Sequence, residues 1–168
     1  MNNRPKIKLV MTNTDKFIEG FGYVMLFGIW CLAFFNFFDS SNFLISSYND
    51  LGKTDRFIEN SNVFLLPIIS TVLFFGMTFL NKYPHTFNYP TIITESNALS
   101  QYANATKMIR IMKVIIVFVF GLILYCSIKH QDGTSLSLGL WFLPVTICLF
   151  TLPTLYFLIK STNLKSED

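Results

Sequence analysis

Apolar positions in this chain fall into four long blocks, at about 17–38, 63–80, 107–128 and 138–159, separated by polar stretches. A hydrocarbon core roughly 30 Å thick takes about 20 helical residues to cross, so each block reads as a membrane-spanning helix. The second is the shortest and is expected to draw on Asn62 and Asn81 at the headgroup level. The blocks are continuously apolar, whereas a barrel strand alternates lumen-facing and lipid-facing residues. The pattern therefore predicts an all-α integral membrane helical bundle. It is a single domain over 1–168 with four transmembrane helices, a loop at 39–62 on one side and a loop at 81–106 on the other. Pro67, Pro144 and Pro153 fall inside or at the ends of the second and fourth blocks, where each predicts a kink that a membrane helix tolerates.

Composition removes the alternative of a soluble globule. Of the 168 residues 52% are hydrophobic and 14% charged, 19 are Phe, and the mean hydropathy is +0.47. A soluble domain carries about a quarter charged residues. The net charge of +3 comes mainly from the flanks of the spans, so it implies no nucleic-acid partner. Arg4, Lys6, Lys8 and Lys16, then Lys82, Lys107, Arg110 and Lys113, then Lys160 and Lys165 hold ten of the 13 basic residues. The other side has Lys53, Arg56 and Lys129, with Asp39, Asp50, Asp55 and Glu59 nearby. Cytoplasmic loops carry the excess of Lys and Arg, so both termini and the 81–106 loop are expected in the cytoplasm of a bacterial inner-membrane, multi-pass protein. No small-x-small cleavage site follows the first block, which reads as a retained signal anchor.

The chemistry-bearing residues are few. Cys31, Cys126 and Cys148 all lie within predicted spans at no zinc or redox spacing, and read as buried small apolar residues. His85 and His130 fall on opposite sides of the membrane and cannot share a metal. There is no phosphate-binding Gly-rich loop, no His-Glu-x-x-His and no Gly-x-Ser-x-Gly, so no enzyme, cofactor or metal is expected. No ionisable residue falls near a predicted midplane: Glu19 lies beside Lys16 at the cytoplasmic end of the first span. Lys107, Arg110 and Lys113 occupy the first turns of the third, where they are expected to act as interfacial basic anchors with heads snorkelling to water. Ser70, Thr71, Thr78, Thr146 and Thr151 are expected to bond to the preceding turn or across helices. Few internal polar contacts are expected between the four helices.

Two loops carry more information. In Tyr83-Pro84-His85-Thr86-Phe87-Asn88-Tyr89-Pro90 the prolines bias the residues before them toward extended geometry, which would set positions 83, 85, 87 and 89 to one side. Tyr83, Pro84, His85, Tyr89 and Pro90 thus form a candidate cytoplasmic-interface motif, either a membrane-interface anchor or a docking point. Thr94 can then cap a helix whose stripe runs Ala98, Tyr102, Ala105, Ile109, Met112 and Ile116 without a breaker. One helix is therefore predicted from about 95 to 128, roughly 50 Å long, with a projecting cytoplasmic part open to a partner.

The outer loop holds Ser47-Tyr48-Asn49-Asp50-Leu51-Gly52-Lys53-Thr54-Asp55, and Phe64-Leu65-Leu66-Pro67 opens the second span. This arrangement resembles a bacterial membrane family of unknown function that also supplies the amino-terminal region of the sporulation-delaying-protein immunity (SdpI-like) proteins. That family's outer loop has a His-Phe-Asn-x-x-Gly-x-x-Asp pattern followed by Leu-Leu-Pro. Asn49, Gly52 and Asp55 match it, while Tyr48 replaces the phenylalanine and Ser47 the histidine. Any ligand-binding or pH-sensing role of that histidine is therefore not expected here. Asn81-Lys82-Tyr83-Pro84-His85, Asn88-Tyr89-Pro90 and Gln101-Tyr102 before Arg110 also resemble the family, so the likeness covers about residues 33–128. Asn49, Gly52 and Asp55 equally suit a structured turn.

Two functions are weighed from these readings. The leading one is a non-enzymatic inner-membrane protein acting by interaction, as an accessory subunit of a larger envelope complex. Its partners would be membrane lipid and another integral membrane protein. The alternative, implied by the resemblance, is an immunity or sensing protein that recognises a peptide or envelope signal through Asn49, Gly52 and Asp55. A small transporter is disfavoured by the lack of intramembrane charge.

Overall fold

A computed structural model describes residues 4–39, 62–131 and 139–163. Among them the chain forms four α-helices and no strand: α1 (Asn13–Asp39), α2 (Leu65–Leu80), α3 (Ala98–Gln131) and α4 (Phe142–Asn163). A 3-10 turn, Asn62–Phe64, leads into α2, and another, Pro84–Thr86, follows it. Stretches of α1, α3 and α4 are long and apolar enough to cross a membrane. Helix α2 has 16 residues, about 24 Å, and its leading turn adds about 6 Å. Together they approach the thickness of a hydrocarbon core.

The starts of α1 and α3 are fixed by reciprocal caps. Thr12 Oγ1 accepts the Asp15 N–H at 3.2 Å, while Asp15 Oδ2 accepts the Thr12 N–H at 3.0 Å and the Thr12 hydroxyl at 2.7 Å. Thr94 and Asn97 repeat the arrangement at 3.4 and 3.0 Å, and the Ala98 N–H reaches the Thr94 carbonyl at 3.0 Å. Each pair satisfies amides that have no partner inside the helix. Thr94 therefore caps the third helix as its sequence predicts, and α3 runs for 34 residues, about 51 Å.

The helices alternate in direction. Trp30 and Gly22 of α1 meet Thr71 and Phe74 of α2, Ile29 meets Gly121 of α3, and Asn104 of α3 meets Phe157 of α4. Helix α3 packs against each of the other three, and α4 joins the bundle chiefly through it. The apolar core consists of Leu26, Ile29 and Ala33 from α1, Val63 and Phe74 around α2, and Val117 and Leu124 from α3. Close approach depends on Gly22, where a Cβ would lie 2.8 Å from the Phe74 ring, and on Gly121, where it would lie 3.1 Å from Ile29. Small residues at such crossings let membrane helices approach and gain packing contacts.

Three expectations change here. Pro67 and Pro144 each occupy the third position of their helix, where no intrahelical N–H bond is required, so only Pro153 lies in a helix interior. The fourth helix is shifted, running from Phe142 to Asn163 with Lys160 in its last turn, because the apolar pattern alone does not mark where Ser161 and Thr162 still continue it. Cys31 and Cys148 face outward and only Cys126 is buried; all three are free.

Candidate functional site: a buried ionic cluster and the loop above it

Asp15 and Glu19 stand four residues apart on α1, so they share one face. Arg110 and Lys113 stand three apart on α3 and face them. Arg110 Nη1 lies 3.4 Å from Asp15 Oδ1, and its Nε lies 3.6 Å from Glu19 Oε2. Lys113 Nζ donates to Glu19 Oε1 and, at 2.9 Å, to Thr78 Oγ1 at the end of α2. The Thr78 hydroxyl in turn donates to the Phe74 carbonyl at 2.8 Å. The ammonium also sits 4.3 Å from the centroid of the Phe74 ring and 5.9 Å from that of Tyr23. Phe74 and Tyr23 meet edge to face at 5.0 Å, closing an aromatic cover over the charge.

This arrangement overturns the snorkelling expectation for two of the three basic anchors. The Lys113 side chain is 0% exposed and that of Arg110 6%. Both heads turn inward because acids on α1 stand at their level, and a buried charge is tolerated when it is paired. Lys107, half-buried, is the one whose position still suits an anchor. Beyond Lys113 residues 114–128 extend only about 22 Å, so the cluster lies near one edge of the apolar layer. Two acids and two bases leave it neutral, a clamp that ties α1, α2 and α3 together.

A second polar set joins α3 to α4. Gln101 Nε2 donates to the Ser161 carbonyl at 2.8 Å, and the Ser161 hydroxyl donates back to Gln101 Oε1 at 2.6 Å. Asn104 Nδ2 donates to the Phe157 carbonyl at 2.9 Å. Trp30 Nε1 likewise donates to Thr71 Oγ1 at 3.0 Å between α1 and α2. The expectation of few polar contacts between helices therefore fails: Gln101, Asn104, Thr106, Arg110 and Lys113 are buried beside the apolar stripe that the pattern marks. Thr71, Thr78 and Thr151 do bond to the preceding turn, whereas the buried Ser70 hydroxyl has no partner.

The aromatic loop is folded, not extended. Pro84 starts a 3-10 turn closed by Thr86 N–H to the Tyr83 carbonyl (3.1 Å) and Phe87 N–H to the Pro84 carbonyl (3.2 Å). The fixed φ of Pro84 suits such a turn, which divides the aromatic positions into two groups. Tyr83, exposed, packs with Phe79 and His85, while Phe87 and Tyr89 pack toward Tyr102. Pro84 is buried and Pro90 exposed. The Tyr89 hydroxyl donates to the Pro84 carbonyl at 2.8 Å, and burial raises its pKa above the usual tyrosine value, against the opposing charge of Arg4.

The amino-terminal strap seals this loop. Arg4 Nη1 donates to the Phe87 carbonyl at 2.5 Å and the His85 carbonyl at 3.3 Å, and its guanidinium stands 5.7 Å from the Tyr89 ring centroid. The Tyr102 hydroxyl donates to the Pro5 carbonyl at 3.1 Å. The strap, the loop and the end of α4 thus cover one side of the first turns of α3, where Tyr102, Gln101 and Asn104 are buried, while Leu99, Ser100 and Ala103 stay exposed. Asn49, Gly52 and Asp55 lie outside the described residues, as does the side chain of His130. No protein-family model, curated protein or solved structure matches the chain.

Proposed function

We propose that this membrane-spanning protein is a non-enzymatic component that works by packing α4 against a helix of another integral membrane protein. The observation that supports the reading is the one-sided attachment of α4. It adds Phe157 and Ser161 to the buried set, both near its carboxyl end, while Leu143, Ile147, Leu152 and Leu155 stay exposed along its length. Gln101 and Asn104 bond to it at that same end. Helices in lipid associate through packing and scattered polar bonds, so a helix that meets the bundle along one side leaves the other side for a partner. The basic flanks favour an inner membrane of a bacterial envelope with cytoplasmic termini.

A photo-crosslinking amino acid placed at Leu143, Ile147 or Leu155 in native membranes tests this. A discrete protein adduct from these positions, with none from Val24 on α1 or Val72 on α2, is the expected result. Lipid adducts alone from α4 would contradict the reading. The immunity or sensing alternative rests on the resemblance in the outer loop. It predicts that Asn49→Ala and Asp55→Ala lower resistance or signalling at unchanged protein level; reduced protein level instead would assign these residues to a structural turn.

A further inference from the structure

The amino-terminal strap is pinned at both ends. Arg4 and Pro5 hold its start to the Phe87 carbonyl and the Tyr102 hydroxyl, and the Thr12–Asp15 cap fixes its end. Between these points exposure alternates with a period of two, as in an extended chain: Ile7 and Leu9 are half-buried, while Lys6, Lys8 and Val10 are exposed. The bundle takes up the two apolar side chains and so turns both lysines outward. Val10 is 89% exposed, Met11 follows it, and Lys16 and Phe17 are exposed at the start of α1. The strap runs from Tyr102 to the level of Arg110, about 12 Å along α3. It therefore lies just outside the apolar layer, at the height of the lipid headgroups. Asp15 and Glu19 are already matched by Arg110 and Lys113, and Glu95 is the only exposed acid among the described residues. Lys6, Lys8 and Lys16 form no ion pair there, so their charge is uncompensated within the described chain.

We propose that Lys6, Lys8 and Lys16 form a binding surface for the phosphates of anionic phospholipids in the adjoining leaflet, with Val10, Met11 and Phe17 set against the acyl boundary. A basic cluster immediately outside a membrane span attracts anionic lipid by a factor of about five for each lysine. The pinned strap presents its lysines with little further ordering to be lost on binding. Exposed Val10 and Met11 commit the surface to a bilayer lipid, since a soluble anion would leave both in water. Because Arg4 and Pro5 tie the strap to the aromatic loop and to α3, lipid bound here also holds residues 85–89 against the bundle.

The full chain in phosphatidylcholine vesicles is labelled with trace lipids carrying a diazirine near the headgroup, one a phosphatidylglycerol and one a phosphatidylcholine. The phosphatidylglycerol probe is expected to label the peptide spanning residues 6–17 about fivefold or more above the phosphatidylcholine probe, and the preference should shrink as salt rises. Lys6→Gln, Lys8→Gln and Lys16→Gln combined should abolish the preference, whereas Lys82→Gln, on the loop after α2, should retain it. Unlabelled phosphatidylglycerol should also slow hydrogen exchange at residues 85–89 in the unaltered protein and not in the triple variant; unchanged exchange would overturn the coupling to the loop. Equal labelling by the two probes, or a preference that survives the triple substitution, would overturn the binding surface itself. So would displacement of the probe by inorganic phosphate at matched ionic strength, which points to a soluble anion. Protection of the strap by poly-glutamate in pure phosphatidylcholine, with no preference between the probes, would overturn it in favour of an acidic soluble protein. The two-probe comparison on the unaltered protein decides even if the triple variant does not fold.

Discussion

The two ends of the bundle are held by different forces. Around the start of α1 and the first half of α3, Asp15, Glu19, Arg110 and Lys113 form a closed set of charges, and Gln101, Asn104 and Ser161 fix α4 by directional bonds. Toward the other end Ile29, Ala33, Val117 and Leu124 pack with no charge among them. Lipid competes well with apolar packing and poorly with a charged pair, so the ionic end sets the register of the helices and the apolar end follows it. Register and packing are in this way assigned to different residues.

The comparison can be broken at several places, and the largest effect is expected at the clamp. Lys113→Met leaves Glu19 facing Arg110 alone in a buried site and should destabilise the bundle by about 3–5 kcal/mol, read by denaturant unfolding in lipid. A loss within 1 kcal/mol would place the ammonium in water. Gly22→Val drives a side chain into the Phe74 ring, at the border of the two ends, and should cost about 1–3 kcal/mol in the same assay. Thr71→Val keeps the side-chain shape and removes the Oγ1 that accepts from Trp30, so a loss of roughly 0.6 kcal/mol is expected. Arg4→Ala should leave global unfolding nearly unchanged while speeding hydrogen exchange at the strap and at residues 85–89. Unchanged exchange would show that Arg4 does not hold the loop.

The helices themselves were readable in the sequence, because continuous apolar blocks of this length have few other solutions. The long α3 was also readable, since the stripe from Ala98 to Ile116 has no breaker and Thr94 caps it. The clamp was not. Arg110 and Lys113 suit snorkelling and pairing equally well as single residues, and their partners lie on a helix some 94 residues away. The signal that distinguishes the two is matched spacing, acids four apart on α1 against bases three apart on α3. The aromatic loop misled for a different reason: the residue before proline is biased toward extended geometry, yet Pro84 itself starts a turn that the Thr86 and Phe87 amides close. The polar wall of α3 was hidden because the partners of Gln101 and Asn104 are backbone and hydroxyl groups at the end of α4, distant in sequence.

The clamp is tested most directly by a double-mutant cycle on Glu19 and Lys113, with Glu19→Gln, Lys113→Met and the double variant unfolded under identical conditions in lipid. A closed, buried pair predicts strong coupling, the double variant being more stable than the sum of the single losses by about 1.5 kcal/mol or more. Additive losses would contradict the account and return Lys113 to the membrane interface.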